Sequence, residues 1–161
     1  MTEKDYNNCV HQYADNIFRF LVKNLRQEDN ARDIVQSSFE KLWINKSQVE
    51  PGKAKSYLFT VAYNLMIDHI RRSKKIDLQD EFGKDERIVY QKDLQLKKVL
   101  DLALQRLPDL QRSLILLKDY EGYSYEEIGK ITSLNASQVK VYLHRARLAM
   151  RNYLVDIQYI L

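Results

Sequence analysis

Apolar residues in this chain recur at intervals of three and four over most of its length, a spacing that fits helices and not strands. Tyr6, Val10, Tyr13, Ile17, Leu21 and Leu25 form one stripe, and Ala31, Ile34, Val35, Phe39, Leu42 and Trp43 a second. Leu58, Val61, Ala62 and Leu65 begin a third, which runs to about Arg72. Leu96, Val99, Leu100, Ala103, Leu104 and Leu107 form a fourth. Pro108 ends that helix and opens another through Leu110, Leu114, Ile115 and Leu117, because proline breaks a helix interior but suits a helix start. Alternating apolar and polar runs are scarce, and only four Gly and two Pro interrupt 161 residues. The predicted fold class is all-α.

One segment has no stripe. Residues 76–93, IDLQDEFGKDERIVYQKD, hold six Asp/Glu and three Lys/Arg among scattered apolar positions. That composition predicts a flexible linker between two small helical domains, residues 1–75 and 94–161.

The C-terminal half carries the clearest functional pattern. Residues 135–151, NASQVKVYLHRARLAMR, contain four Lys/Arg and no acid. Lys140, His144, Arg147 and Arg151 share one helical face, and Val139, Leu143, Ala146 and Met150 share another. Such a helix can be buried on one side and offer hydrogen-bond donors and positive charge on the other, which suits the major groove of DNA. Upstream, Ser124-Tyr125-Glu126-Glu127 reads as a capping box opening a short helix with Ile128 and Ile131 on its apolar side. Thr132, Ser133 and Leu134 make a tight connection, and Asn135 with Gln138 caps the next helix. Gly129 permits close approach of the two helices. Two helices joined this closely predict a helix-turn-helix.

The third helix ends in DHIRRSKK, and Tyr57, Phe59 and Tyr63 lie upstream on it. Aromatic rings interleaved with cations suit unpaired bases and their phosphates. Asn64 and Asp68 are four residues apart and project together. Between Trp43 and Tyr57 runs a polar loop with Pro51-Gly52 at its turn and Lys46, Lys53 and Lys55 along it.

Several classes are disfavoured. The lone Cys9 cannot form an internal disulfide, and His11, His69 and His144 lack any metal-ligand context. No Gly-rich phosphate loop or nucleophile–base pattern is present, so neither an enzyme nor a cofactor is expected. The polar start MTEKDYNNC and the lack of a long apolar run predict a cytoplasmic protein without membrane insertion. The net charge of +4 is mild, so local charge matters more than the total.

With these residues in view, a family resemblance is plain. Residues 29–43, DNARDIVQSSFEKLW, resemble the core-polymerase-binding helix of bacterial RNA polymerase sigma factors. Residues 55–72, KSYLFTVAYNLMIDHIRR, resemble the promoter-melting helix that follows it. Residues 107–147, with YSYEEIGKI and VKVYLHRAR, resemble the second conserved sigma domain. The two-domain layout is similar to the extracytoplasmic-function class.

The resemblance implies an alternative sigma factor that binds core RNA polymerase and promoter DNA. Asp33, Gln36, Phe39 and Glu40 would then belong to the polymerase contact, with Ser37 where the family commonly has Glu. Lys53, Lys55, Tyr57, Asn64, Asp68, Arg71 and Arg72 would serve the minus-ten element, with Tyr57 in place of the family's usual Trp. Gln138, Lys140, Val141, His144, Arg145 and Arg147 would serve the minus-thirty-five element. Val141 cannot donate a hydrogen bond and would pack on a thymine methyl. Many members of the class are held inactive by an anti-sigma factor, a further candidate partner. The competing expectation is a stand-alone helix-turn-helix regulator, which has no need of DIVQSSFEKLW.

Overall fold

A computed structural model describes residues 1–77 and 96–160, and every regular element among them is helical. The N-terminal half comprises α1 (Glu3–Leu25), α2 (Glu28–Ile44), a 3-10 turn at Pro51–Lys53 and α3 (Ala54–Asp77). The C-terminal half comprises α4 (Leu96–Gln105), α5 (Asp109–Ile115), a π-helical stretch at Leu116–Tyr120, α6 (Tyr125–Thr132) and α7 (Ala136–Ile160).

Local chemistry sets the helix ends. Thr2 and Asp5 close a reciprocal capping box on α1, and Arg26 stops it in the left-handed region at φ 60°. Pro51 opens the 3-10 turn, which feeds directly into α3. That helix therefore starts before its apolar stripe does, and it continues to Asp77, past Arg72. Two residues of the expected linker are thus helical; the rest of 76–93 lies outside the described residues. After α5 the ladder widens, with Glu121 N–H donating to Leu116 O at 3.1 Å. Gly122, at φ 76°, then turns the chain toward α6, a conformation that costs other residues steric strain.

Most of each stripe packs inward, but Leu96 at the start of the fourth is 73% exposed. Ile17, Phe20 and Leu21 of α1 meet Ala31 and Leu42 of α2 and Leu58, Phe59, Ala62 and Met66 of α3 in a buried cluster. Phe20 and Phe59 pack edge to face at 5.5 Å. In the other half, Leu104, Leu114, Leu116, Leu117, Ile128, Val139, Leu143 and Ala146 are buried.

These two clusters are one. α3 packs on α6, and α1 on α4 and α5, so the buried core runs continuously through both halves. Phe59 meets Tyr123 edge to face at 5.5 Å. Ser113 Oγ donates to Asn24 Oδ1 at 2.9 Å in a buried contact, while Asn24 Nδ2 donates to Phe20 O at 2.8 Å. Lys23 pairs with Asp101 at 2.9 Å and Lys74 with Asp109 at 3.0 Å at the margins. No apolar periodicity encodes this contact.

Candidate nucleic-acid interface

On α2, Asp33, Gln36 and Glu40 are exposed and share a face, with Gln36 Nε2 donating to Glu40 Oε1 at 3.3 Å. Phe39 does not join them. It is 7% exposed, packs edge-on against Tyr6 at 6.4 Å, and its carbonyl accepts the Tyr6 hydroxyl at 3.1 Å. Phe39, which the resemblance groups with the polymerase contact, packs in the core of this chain and lies off the exposed face. The stripe also misplaces Trp43, which is 42% exposed. Tyr6 packs on one edge of the indole at 5.0 Å, and Lys46 Nζ lies 3.2 Å from its ring centroid. Trp43, three residues beyond Glu40, extends the exposed face.

The loop after α2 is pinned by Tyr57. Asn45 Nδ2 donates to Tyr57 Oη and to Lys41 O, both at 3.0 Å, so the ring is tied to the end of α2. Gln48, Val49, Glu50, Lys53 and Tyr57 surround a cleft of about 210 Å³. Lys53 lies 3.9 Å from Glu50. Lys55 is turned away from this cleft, over the Tyr123 ring at 5.0 Å and the Phe59 ring at 6.0 Å. Asn64, Asp68, Arg71 and Arg72 lie further along α3 on its exposed surface. Arg72 Nε folds back to Asp68 O at 3.3 Å.

α6 and α7 form the expected helix-turn-helix geometry. Glu127 N–H donates to Ser124 Oγ at 3.2 Å. Asn135 and Gln138 cap α7 reciprocally, at 3.0 and 2.8 Å, so the Gln138 carbonyl oxygen is committed to the helix start. Ser133 adopts the left-handed region at φ 62°, and Leu134 N–H donates to Gly129 O at 3.0 Å. A Cβ on Gly129 would sit 2.5 Å from Leu134 O. Val139, Leu143 and Ala146 hold α7 on the core, leaving Lys140, Val141, His144, Arg145 and Arg147 exposed.

Those five are not equivalent. Arg147 is bound to Asp119 at 2.9 Å. The Asp119 hydrogen bond and, to a smaller extent, the Tyr125 hydroxyl raise its pKa above the usual value. Arg145 lies over the Tyr142 ring at 5.8 Å and Lys140 over the Tyr125 ring at 5.6 Å. Val141 is 47% exposed on the same surface. Asp119, Tyr125 and Lys118 carry no local signal in the sequence as neighbours of this surface; only the three-dimensional turn gathers them around α6 and α7. Among the described residues no His/Cys/Asp/Glu group is arranged for a metal ion, and no helix is long and apolar enough to cross a membrane.

Comparison with known proteins gives this geometry a family context. Residues 9–76 match Sigma-70 region 2, and residues 97–150 match Sigma-70 region 4. The chain is 31% identical to RNA polymerase sigma factor SigV of Bacillus subtilis, over 89% of this chain and 87% of that one. It is 29% identical to the ECF RNA polymerase sigma factor SigE of Mycolicibacterium smegmatis, over 92% of this chain but only 61% of that longer relative. The sigma factor RpoE of Bartonella quintana, solved in complex with the anti-sigma factor NepR, superposes with a TM-score of 0.77 at 26% identity. That match covers 94% of this chain and 97% of the other, so it spans both halves.

Proposed function

The chain belongs to the RNA polymerase sigma factors, in the extracytoplasmic-function class, and from that premise we propose that it binds core RNA polymerase and directs initiation at specific promoters. The observation that carries this reading is the pairing, in one chain, of a region 2 match with an exposed Asp33–Gln36–Glu40 face and a region 4 match with an exposed basic α7. In this reading residues 1–75 engage the polymerase and the minus-ten element, and residues 94–161 engage the minus-thirty-five element. The complex of RpoE with NepR makes an anti-sigma factor a further candidate partner.

The division of labour follows from energetics. Opening duplex DNA costs stacking on the order of 1.4 kcal/mol per step. A small protein offsets part of that by trapping unpaired bases, which calls for the rings, cations and cleft around Tyr57. Reading a duplex needs only groove contacts, which α7 offers. Arg145 and Val141 are the proposed base readers, by hydrogen bonds and by methyl contact respectively. The polymerase supplies the chemistry.

Reconstitution tests this. The purified chain with core polymerase is expected to initiate at a cognate promoter, and the chain alone to bind duplex DNA weakly. Tight operator binding independent of polymerase would overturn the reading in favour of a stand-alone regulator. Arg145→Ala is expected to cost roughly 1–3 kcal/mol at promoters that depend on the upstream element. An equal loss on every upstream sequence would reduce Arg145 to a phosphate contact.

A further inference from the structure

We propose that Lys118 and Lys140 together grip the DNA backbone beside the reading surface of α7, and that Tyr125 is the positioning residue that holds them there. This rests on the sigma factor reading of α6 and α7.

The two lysines come from different elements and meet at one ring. Lys118, in the π-helical stretch, places Nζ 4.8 Å from the Tyr125 centroid, and Lys140, on α7, places Nζ 5.6 Å from it. Lys118 Nζ also donates to Tyr123 O at 3.2 Å, which holds the ammonium in place and leaves two of its three N–H groups for another acceptor. The ring is fixed in turn. Tyr125 is the first residue of α6, behind the Ser124 cap, and its hydroxyl interacts with Arg147, which Asp119 holds at 2.9 Å. Arg147 and Asp119 are thus a brace, and the carboxylate is spent on the brace and not on either lysine.

An aromatic face attracts an ammonium but does not cancel its charge. Two ammonium groups on one ring therefore leave local positive charge that a phosphodiester neutralises. Lysine is a flexible point charge that ordinarily loses much rotamer freedom on binding. Stacking both on one ring removes part of that loss before DNA arrives, the usual benefit of preorganisation. The consequence for recognition is specific. Lys140 leaves the set of base readers, and sequence choice falls on Val141 and Arg145.

The test uses the full-length chain and a 25-base-pair duplex of arbitrary sequence, with affinity followed across a salt series. Each phosphate contact contributes about 0.9 to the slope of log K against log salt. Lys118→Gln and Lys140→Gln are each expected to flatten the slope. Tyr125→Leu removes no charge and is expected to lower affinity across the whole series, because the lysines lose their preorganisation, whereas Tyr125→Phe keeps the ring and stays near wild type. A folded Tyr125→Leu with wild-type affinity, or a silent Lys118→Gln, overturns the proposal. Arg145→Glu separates the two failures. If it weakens binding while Lys118 and Tyr125 are silent, only the grip falls. If it is silent as well, α7 does not meet DNA and the sigma factor reading of this helix falls with it.

Discussion

Gly129→Ala probes the helix-turn-helix more sharply than any change on its exposed basic surface. The new Cβ would lie 2.5 Å from the Leu134 carbonyl oxygen. Ordinary C···O contacts begin near 3.3 Å, so the turn must open by about 0.8 Å. The obstacle is backbone and not a rotatable side chain. Leu134 is itself hydrogen-bonded to Gly129 O at 3.0 Å, and Ser133 is already in the left-handed region, so the turn has little slack. Overpacking of this kind costs about 1–3 kcal/mol, and the rigid obstacle places Gly129 in the upper half of that range. Alanine returns about 1 kcal/mol through its better helix propensity. The net loss is about 1–2 kcal/mol, or roughly 2–8 °C in Tm for a chain of this size. Thermal melts by circular dichroism would measure it, with Gly52→Ala as control, since a Cβ there meets nothing within 4 Å. The same shift re-aims the first turn of α7, so duplex affinity should fall further than the lost folded population explains. A Gly129→Ala protein with wild-type Tm and affinity would refute the close-approach argument.

Three further outcomes are expected. Ser113→Ala strips the donor from buried Asn24 Oδ1 and should cost about 1–3 kcal/mol in urea unfolding, a loss that an unchanged midpoint would contradict. Burial pushes the Asp109 carboxyl up, but Lys74 and Arg112 outweigh it and hold the group below the usual carboxylate range. Its contribution to stability is therefore complete above about pH 4 and lost as pH falls through the lowered value. An Asp109→Asn variant should show a flatter acid limb in Tm against pH; an identical limb would show that the pair adds nothing. Asp33→Ala combined with Gln36→Ala should weaken association with core polymerase about tenfold or more, measured by competition, and full retention would move the docking face elsewhere.

Periodicity and capping chemistry make much of this fold legible. The stripes through Ile17 and Leu21, Leu58 and Ala62, and Val139 and Leu143 are buried, and Asn135 with Gln138 caps α7 as their spacing predicts. What escapes is everything set by a neighbour distant in sequence. Phe39 and Trp43 lie four residues apart on one helix, and local pattern treats them alike. Tyr6 of α1 packs on both, yet the surrounding fold covers the first and leaves the second half open. Asn24 and Ser113 sit 89 positions apart, and neither residue type advertises burial. The widened turn at Leu116–Tyr120 has no local signature, yet it carries both Lys118 and Asp119 toward α7. The family resemblance lists residues that approach DNA, but only the fold shows that Arg147 is braced and that Gln138 is spent on a cap.

The shared core through Phe59, Tyr123, Asn24 and Ser113 has a consequence for how such a factor would be tuned. Elements named for positions minus ten and minus thirty-five lie 25 base pairs apart, about 85 Å along B-form DNA. A compact chain of 161 residues has a radius of gyration of only about 15 Å. Occupying both elements thus requires the halves to part, and the free energy of parting is charged equally against every promoter. On the proposed function, residues in this contact would act as a gain control: a change there would raise or lower transcription across a whole regulon in proportion, while a change on α7 would reorder the promoters within it. Output level and target preference would then drift independently, because they would be written into separate sets of side chains.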